Sequence, residues 1–178
     1  VQHTPGDRLD SNPVVSVALC ILVFIILQWM GSYSPHWGRS VWHHVSEAFL
    51  LFSVTLALMP MYWLCAGSQR KKNKTFVVTW GTVLVQLLFF SLIRHVTADI
   101  TSDIGNELLY LPYMMAPLIV TVLLGPLLGM FATICICMLG GFFVLPEQYM
   151  PEKQVQFWIL SSLSGMLTVL LTHNPRRS

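Results

Sequence analysis

The sequence has few charged residues, which make up 10% of its 178 positions. Globular domains carry roughly 25% charged residues, so this chain lacks the groups that cover a water-facing surface. Hydrophobic residues account for 54% of the sequence, and the mean hydropathy is +0.65. This composition excludes an ordinary soluble domain and predicts an integral membrane protein whose main partner is the lipid bilayer.

No charged residue occurs between positions 108 and 145. A transmembrane helix needs roughly 20 apolar residues, so this run is long enough to cross a bilayer, turn and cross back. Gly125 and Pro126 mark the turn, because glycine tolerates the positive φ of a helix end and proline suits the first turn of the next helix. We therefore predict two antiparallel helices, 108–124 and 127–145, joined almost without a loop.

Further apolar runs complete the predicted fold, an all-α polytopic membrane bundle that forms one domain over residues 1–178. The predicted transmembrane helices are 14–30, 45–65, 76–93, 108–124, 127–145 and 156–172. Lys and Arg concentrate in cytoplasmic loops. With the N-terminus inside, the inner segments hold Arg8, Arg70, Lys71, Lys72, Lys74, Arg176 and Arg177, and the outer segments hold Arg39, Arg94 and Lys153. The predicted topology is N-in and C-in, set mainly by the basic loop at 70–74.

The predicted helices carry no Asp, Glu, Lys, Arg or His near their centres. Ion-coupled transporters and proton pumps usually need such a group within the membrane. Gln28 and Gln86 are the nearest candidates, and we interpret both as hydrogen-bonding partners of neighbouring helices. Three prolines in the uncharged run leave two interpretations open. They could mark a broken-helix binding site of the transporter type, or they could be ordinary helix kinks. They are Pro112, Pro117 and Pro126.

The candidate polar site lies on the predicted outer side. His43 and Glu47 are four residues apart, as are His95 and Asp99, so each pair shares one face if its helix extends that far. Arg94 precedes His95 and can reach the lipid headgroups. Such groups could bind a metal or respond to pH, and they could equally be solvated residues at the membrane interface.

Signatures of catalysis are absent from the sequence. It contains no HExxH, no GxSxG and no phosphate-binding loop. The four cysteines, Cys20, Cys65, Cys135 and Cys137, show no metal-ligand spacing. The basic residues form short patches between apolar runs, so nucleic acid is not a predicted partner. We predict no catalytic residue, metal or cofactor in this chain.

One stretch, 110–129, reads YLPYMMAPLIVTVLLGPLLG, and a later helix rich in small residues, 161–171, is followed by Arg176-Arg177-Ser178. With the basic loop, these features resemble the transmembrane region of bacterial seven-transmembrane receptors that carry an intracellular HD phosphohydrolase domain. The resemblance covers about 49–178 and implies a location in a bacterial plasma membrane. It implies an extracellular sensor domain, a seven-span region and a cytosolic HD domain whose metal-bound His and Asp residues hydrolyse a cyclic dinucleotide, cyclic di-AMP in the best-known members.

The sequence departs from that family in two respects. Segment 31–44 is too short to be the extracellular domain, and the last two spans and the HD domain are not within these 178 residues. No catalytic residue of the family carries over to a position here. The resulting hypothesis is a fragment or reduced relative that relays an outer-face signal through helix shifts to whatever follows Ser178. Its predicted protein partner is a C-terminal HD domain or a second copy of the chain.

The alternative hypothesis is a vitamin-type substrate-binding subunit of an energy-coupling-factor transporter, which also has six spans. Leu124-Gly125-Pro126-x-x-Gly129 resembles a turn common among those subunits. Against this, they use a small-x-x-x-small face on the first helix to bind their partner, and here Ala18 is followed four residues later by Leu22. A plain membrane assembly subunit is the third hypothesis.

Overall fold

A computed structural model describes residues 13–32, 41–67, 73–98, 112–144 and 151–173. These residues form six α-helices and no strand. The helices are α1 (Pro13–Ser32), α2 (Val41–Ala66), α3 (Asn73–Ala98), α4 (Met115–Leu124), α5 (Pro126–Val144) and α6 (Pro151–His173). The all-helical fold class is therefore confirmed, and each predicted span overlaps one helix.

Three of these helices contain stretches that are long and apolar enough to cross a membrane, namely Ala48–Ala66, Asn73–Ile93 and Gln154–Thr172. The apolar stretches of the other three helices, Val14–Met30, Met115–Leu124 and Pro126–Gly141, are shorter. The described part of the chain thus contains long apolar helices of the kind that the composition predicts.

The start of α4 differs from the prediction. The sequence predicts a helix over 108–124, whereas α4 begins at Met115 and is 10 residues long. A turn precedes it, in which the Met115 N–H donates to the Pro112 carbonyl at 3.4 Å. Proline lacks a backbone donor and disfavours helical conformation in the residue before it. The uncharged composition alone therefore does not mark the start of α4.

The contacts within the chain divide it into two compact units, 1–81 and 82–178, a finer division than the single predicted domain. In the first unit, α1 and α2 pack as an antiparallel pair. The rings of Phe24 and Phe52 meet edge to face with centroids 5.1 Å apart. One helical turn further along α1, Gln28 Nε2 donates to the Ala48 carbonyl at 3.2 Å. Gln28 therefore bonds to a neighbouring helix, as predicted.

In the second unit, α5 and α6 pack as an antiparallel pair through small residues. The contacting positions advance along α5 as they recede along α6. They are Gly129 with Val169, Thr133 with Gly165, Cys137 with Ser161, and Gly140 with Phe157. Small side chains let two helix backbones approach closely. The small-residue stripe predicted near the middle of the last helix thus lies in a helix–helix contact.

Gly125 is the single residue between α4 and α5. Its backbone has φ 106° and ψ 171°, and Pro126 is the first residue of α5. The Gly125 N–H donates to the Thr121 carbonyl at 3.0 Å, and the Gly125 carbonyl accepts from the Gly129 N–H at 3.1 Å. Thr121 also contacts Gly129, so α4 folds back along α5. The helix break thus lies where the Gly-Pro pair predicts it.

Replacing Gly125 with alanine is expected to lower the free energy of unfolding by about 2 kcal/mol, because only glycine adopts this backbone conformation without strain. A Cβ at Gly125 would have no atom within 4 Å, so the loss comes from the backbone and not from a clash. Equilibrium unfolding of the purified chain in detergent micelles, followed by circular dichroism, measures the difference.

Gly81 provides the matched control for this prediction. A Cβ at this position would likewise have no atom within 4 Å, and Gly81 lies inside α3 without a positive φ. Gly81→Ala should therefore leave the stability unchanged or raise it by about 0.5–1 kcal/mol through helix propensity. Equal losses in the two variants would contradict the strain at Gly125.

Candidate functional site

The predicted outer polar cluster lies largely outside the described part of the structure. The backbones of His43 and Glu47 belong to α2, and those of Arg94 and His95 belong to α3. The side chains of these four residues, and all of Asp99, are outside the described part. Whether the cluster assembles stays a prediction.

Of the four basic residues in the predicted basic loop, the structure describes one. Lys74 is the second residue of α3, and Arg70, Lys71 and Lys72 lie outside the described residues. Within the described ranges, no group of three or more His, Cys, Asp or Glu residues is placed to hold a metal ion. The polar site that the structure does describe is therefore a different one.

This site centres on Gln86, whose side chain is 1% exposed in α3. Its amide nitrogen donates to the Pro112 carbonyl at 2.9 Å. Its amide oxygen accepts from the Ala116 N–H at 2.6 Å. One buried side chain thus bonds to a carbonyl and to an amide on either side of the start of α4. We refer to Gln86 with these two backbone partners as the Gln86 clamp.

The Gln86 clamp replaces a local helix cap. The first N–H groups of a helix lack partners within the helix, and a side chain just before the helix usually accepts from them. Met114 occupies that position in α4 and makes no such side-chain bond. Gln86 supplies the acceptor from another helix instead. An unsatisfied polar group in an apolar interior costs about 1–3 kcal/mol, so the clamp fixes where α4 begins.

An aromatic cluster lies beside the clamp and consists of Phe90 in α3, Tyr113 in the turn and Phe157 in α6. The ring centroids are 5.9 Å apart for Phe90 and Tyr113, 6.1 Å for Phe90 and Phe157, and 5.6 Å for Tyr113 and Phe157. Phe90 and Phe157 are 0% exposed. Each ring contacts both others, so the cluster joins α3, the turn and α6.

Gly140 in α5 makes room for this cluster. A Cβ at that position would lie 2.6 Å from Cζ of Phe157 and 3.4 Å from Cε2 of Phe90. Real Cβ atoms do not approach an aromatic carbon as closely as the first distance, so only glycine lets the Phe157 ring lie against α5. The helices α3, α5 and α6 and the turn before α4 therefore all contribute to the cluster.

The Gln86 clamp and the aromatic cluster hold α3, the turn before α4 and α6 against one another. The clamp and the aromatic cluster supply an amide, backbone groups and aromatic rings, and none of their side chains is a carboxylate, a histidine or an amine. Hydrogen bonds to buried backbone and ring contacts position elements against each other.

Sequence reasoning identified one member of this site. The prediction that Gln86 bonds to a neighbouring helix is confirmed at Ala116 of α4, and its other amide atom bonds to the Pro112 carbonyl in the preceding turn. Phe90, Tyr113 and Phe157 were not predicted, since aromatic residues in apolar helices give no signal of mutual contact. The sequence offers one signal for this region. Pro112, a candidate helix break, directly precedes Tyr113.

Compared with protein-family models, with characterised protein sequences and with solved structures, the chain matches none of them.

Proposed function

We propose that the chain is a six-span membrane bundle, oriented N-in and C-in, that relays a signal across the bilayer. Its exposed side chains support a lipid environment, since large apolar residues such as Phe49 at 67%, Leu64 at 82% and Leu171 at 69% exposure face outward. Contiguous exposed apolar surface is unfavourable in water and favourable in lipid.

The exposed tryptophans also support this proposal. Trp29, Trp63 and Trp158 are 66%, 53% and 50% exposed, and Trp29 and Trp63 lie close to the ends of α1 and α2. Tryptophan is enriched at the two interfaces between hydrocarbon and headgroups. Exposed tryptophans near the ends of α1 and α2 therefore support the proposal that these helices span the membrane.

The relay function is supported best by the contact between Tyr113 and Phe157, whose ring centroids are 5.6 Å apart. Tyr113 lies in the turn that follows the acidic segment 99–107, which the proposed topology puts outside. Phe157 belongs to α6, the helix that leads toward the basic positions 176–177 on the inner side. A displacement of the outer segment would thus act on α6 directly.

In this proposal the output is an HD phosphohydrolase domain acting on a cyclic dinucleotide, as the resemblance implies. The alternative, a vitamin-binding transporter subunit, draws support from the interruption before α4, because transporters build midplane sites from discontinuous helices. The two proposals differ in where activity resides. The receptor acts through a separate domain, whereas the carrier binds its ligand within the helices described here.

Cysteine labelling tests the proposed topology. In a variant with Cys20, Cys65, Cys135 and Cys137 replaced by serine, single cysteines are introduced as Ser68→Cys in the basic loop or Ser102→Cys in the acidic loop. A membrane-impermeant maleimide should label Ser102→Cys in intact cells and Ser68→Cys only after permeabilisation, because Lys and Arg favour the cytoplasmic side. Labelling of both in intact cells, or the reverse pattern, would contradict the N-in arrangement.

Sequencing the gene on both sides of the region that encodes these 178 residues tests the proposed function. If the frame continues past Ser178 into an HD domain, cyclic di-AMP hydrolysis by the whole gene product becomes the assay. Phe157→Ala should then change the basal rate by about fivefold or more, the scale of measured couplings between sites. Leu163→Ala is the control, since Leu163 lies on the same helix and is 63% exposed.

Two results would overturn the receptor proposal. One is a frame that stops at Ser178 together with tight binding of a small vitamin by the purified chain, which supports the carrier. The other is an HD enzyme whose rate responds equally to Phe157→Ala and Leu163→Ala, which removes the aromatic cluster from the relay.

A further inference from the structure

We infer that α4 is a hinged segment, closed at its start by the Gln86 clamp and pivoting at Gly125. The two ends of this 10-residue helix are held in different ways. A single side chain from another helix bonds to the start, and a single glycine connects the end to α5. The inference concerns conformation and does not depend on which output the bundle serves.

The pivot follows from the geometry at Gly125. Its φ of 106° is open to glycine, which can also adopt neighbouring backbone angles at little cost. No atom lies within 4 Å of a Cβ built at Gly125, so the backbone has space around it. The bonds from Gly125 to Thr121 and from Gly129 to Gly125 hold the two helix ends at the joint. A change of angle at this one residue would move the far end of α4.

Gln86 supplies the polar part of the contact that closes α4, and the buried residues Ala116 and Val120 supply apolar packing beside it. The two hydrogen bonds of Gln86, at 2.9 Å and 2.6 Å, connect α3 to the turn and to the second residue of α4. Opening would break both bonds and would draw Tyr113 away from Phe157, because Tyr113 is the next residue after the bonded Pro112. Opening of the clamp would therefore alter the contact between Tyr113 and α6.

Amide hydrogen exchange at single-residue resolution, on the full chain in lipid nanodiscs, tests this inference. The variant Gln86→Met removes both hydrogen bonds while keeping a similar side-chain volume. Exchange at Leu118 is the informative reading, because its N–H donates to the Met114 carbonyl at 2.9 Å and not to Gln86. We expect exchange at both Ala116 and Leu118 to accelerate about tenfold or more.

The pivot predicts that this acceleration is local. The amides of Gly125 and Gly129, whose bonds surround the joint, should exchange at the wild-type rate. Gln28→Met is the matched control, since Gln28 Nε2 also donates to the carbonyl of another helix, at Ala48. That variant should leave Ala116 and Leu118 unchanged. The milder Gln86→Asn, which keeps an amide on a shorter side chain, should give an intermediate acceleration.

Two outcomes would overturn the inference. Acceleration confined to Ala116 would mean that Gln86 only caps one N–H and does not hold a moving segment. Equal acceleration throughout α4 and α5 would mean that Gln86 stabilises the whole unit and that Gly125 is not a pivot. Both outcomes are measured as amide exchange rates and not as enzyme activity. They can therefore be distinguished from a failure of the proposed relay function.

Discussion

Replacing Phe157 with alanine is expected to lower the free energy of unfolding by about 3 kcal/mol or more, the usual cost of removing a buried ring. Phe157 is 0% exposed and contacts both other rings of the aromatic cluster. The loss arises from packing, because in lipid the attraction between helices depends on close contact and not on exclusion of water. Equilibrium unfolding in detergent micelles, followed by circular dichroism, measures it.

A matched phenylalanine separates this effect from a general loss of apolar surface. Phe49 in α2 is 67% exposed, so Phe49→Ala should change the free energy of unfolding by less than about 0.5 kcal/mol. Phe157→Leu keeps part of the volume and should fall between the wild type and Phe157→Ala. If Phe157→Ala and Phe49→Ala cost the same, the aromatic cluster does not hold the second unit together.

The second large effect is expected at Gly165, where alanine should cost about 2–3 kcal/mol through overpacking. A Cβ there would lie 2.7 Å from Oγ1 and 3.0 Å from Cβ of Thr133, and closer still to Cγ2. Thr133 is 2% exposed, so it has little space into which to move. The same unfolding measurement should therefore show a weakened contact between α5 and α6.

A double variant makes this prediction specific to the facing pair. Thr133→Ala removes Cγ2 and Oγ1, the two closest atoms, and should partly restore the stability of Gly165→Ala. The two changes should then be non-additive by about 1 kcal/mol, as expected for residues in direct contact. Additive losses would indicate that the two helices do not meet at these positions.

Much of the helical arrangement could be predicted from apolar runs and from one Gly-Pro pair. α1, α2, α3 and α6 contain their predicted spans, and the break at Gly125 has the positive φ that its glycine suggests. Such features are local, since a run of apolar residues or a glycine followed by proline determines the conformation of only the residues next to it.

The start of α4 could not be predicted in this way. Residues 112–114 are as uncharged as the helix that follows, so composition gives no boundary. The non-helical turn is stable because Gln86, 26 residues before Pro112, bonds to its backbone. That partner depends on how α3 packs, which is a property of the fold and not of the local sequence.

The aromatic cluster and its glycine show the same limit. Phe157 and Gly140 are 17 positions apart and meet because α5 and α6 are antiparallel with a fixed register. A glycine inside an apolar helix looks the same in sequence whether it faces lipid or another helix. The outer polar pairs, such as His43 with Glu47, and the resemblance to HD-domain receptors stay predictions.

The single-residue joint at Gly125 has a consequence for how the protein is made. In the proposed six-span arrangement, α4 and α5 have no polar linker between them and would enter the bilayer together as one helical hairpin. No Lys or Arg occurs between Arg94 and Lys153, so this hairpin carries no positive charge of its own to orient it. Its direction would be decided by α3, which is synthesised before it, and by α6, which follows.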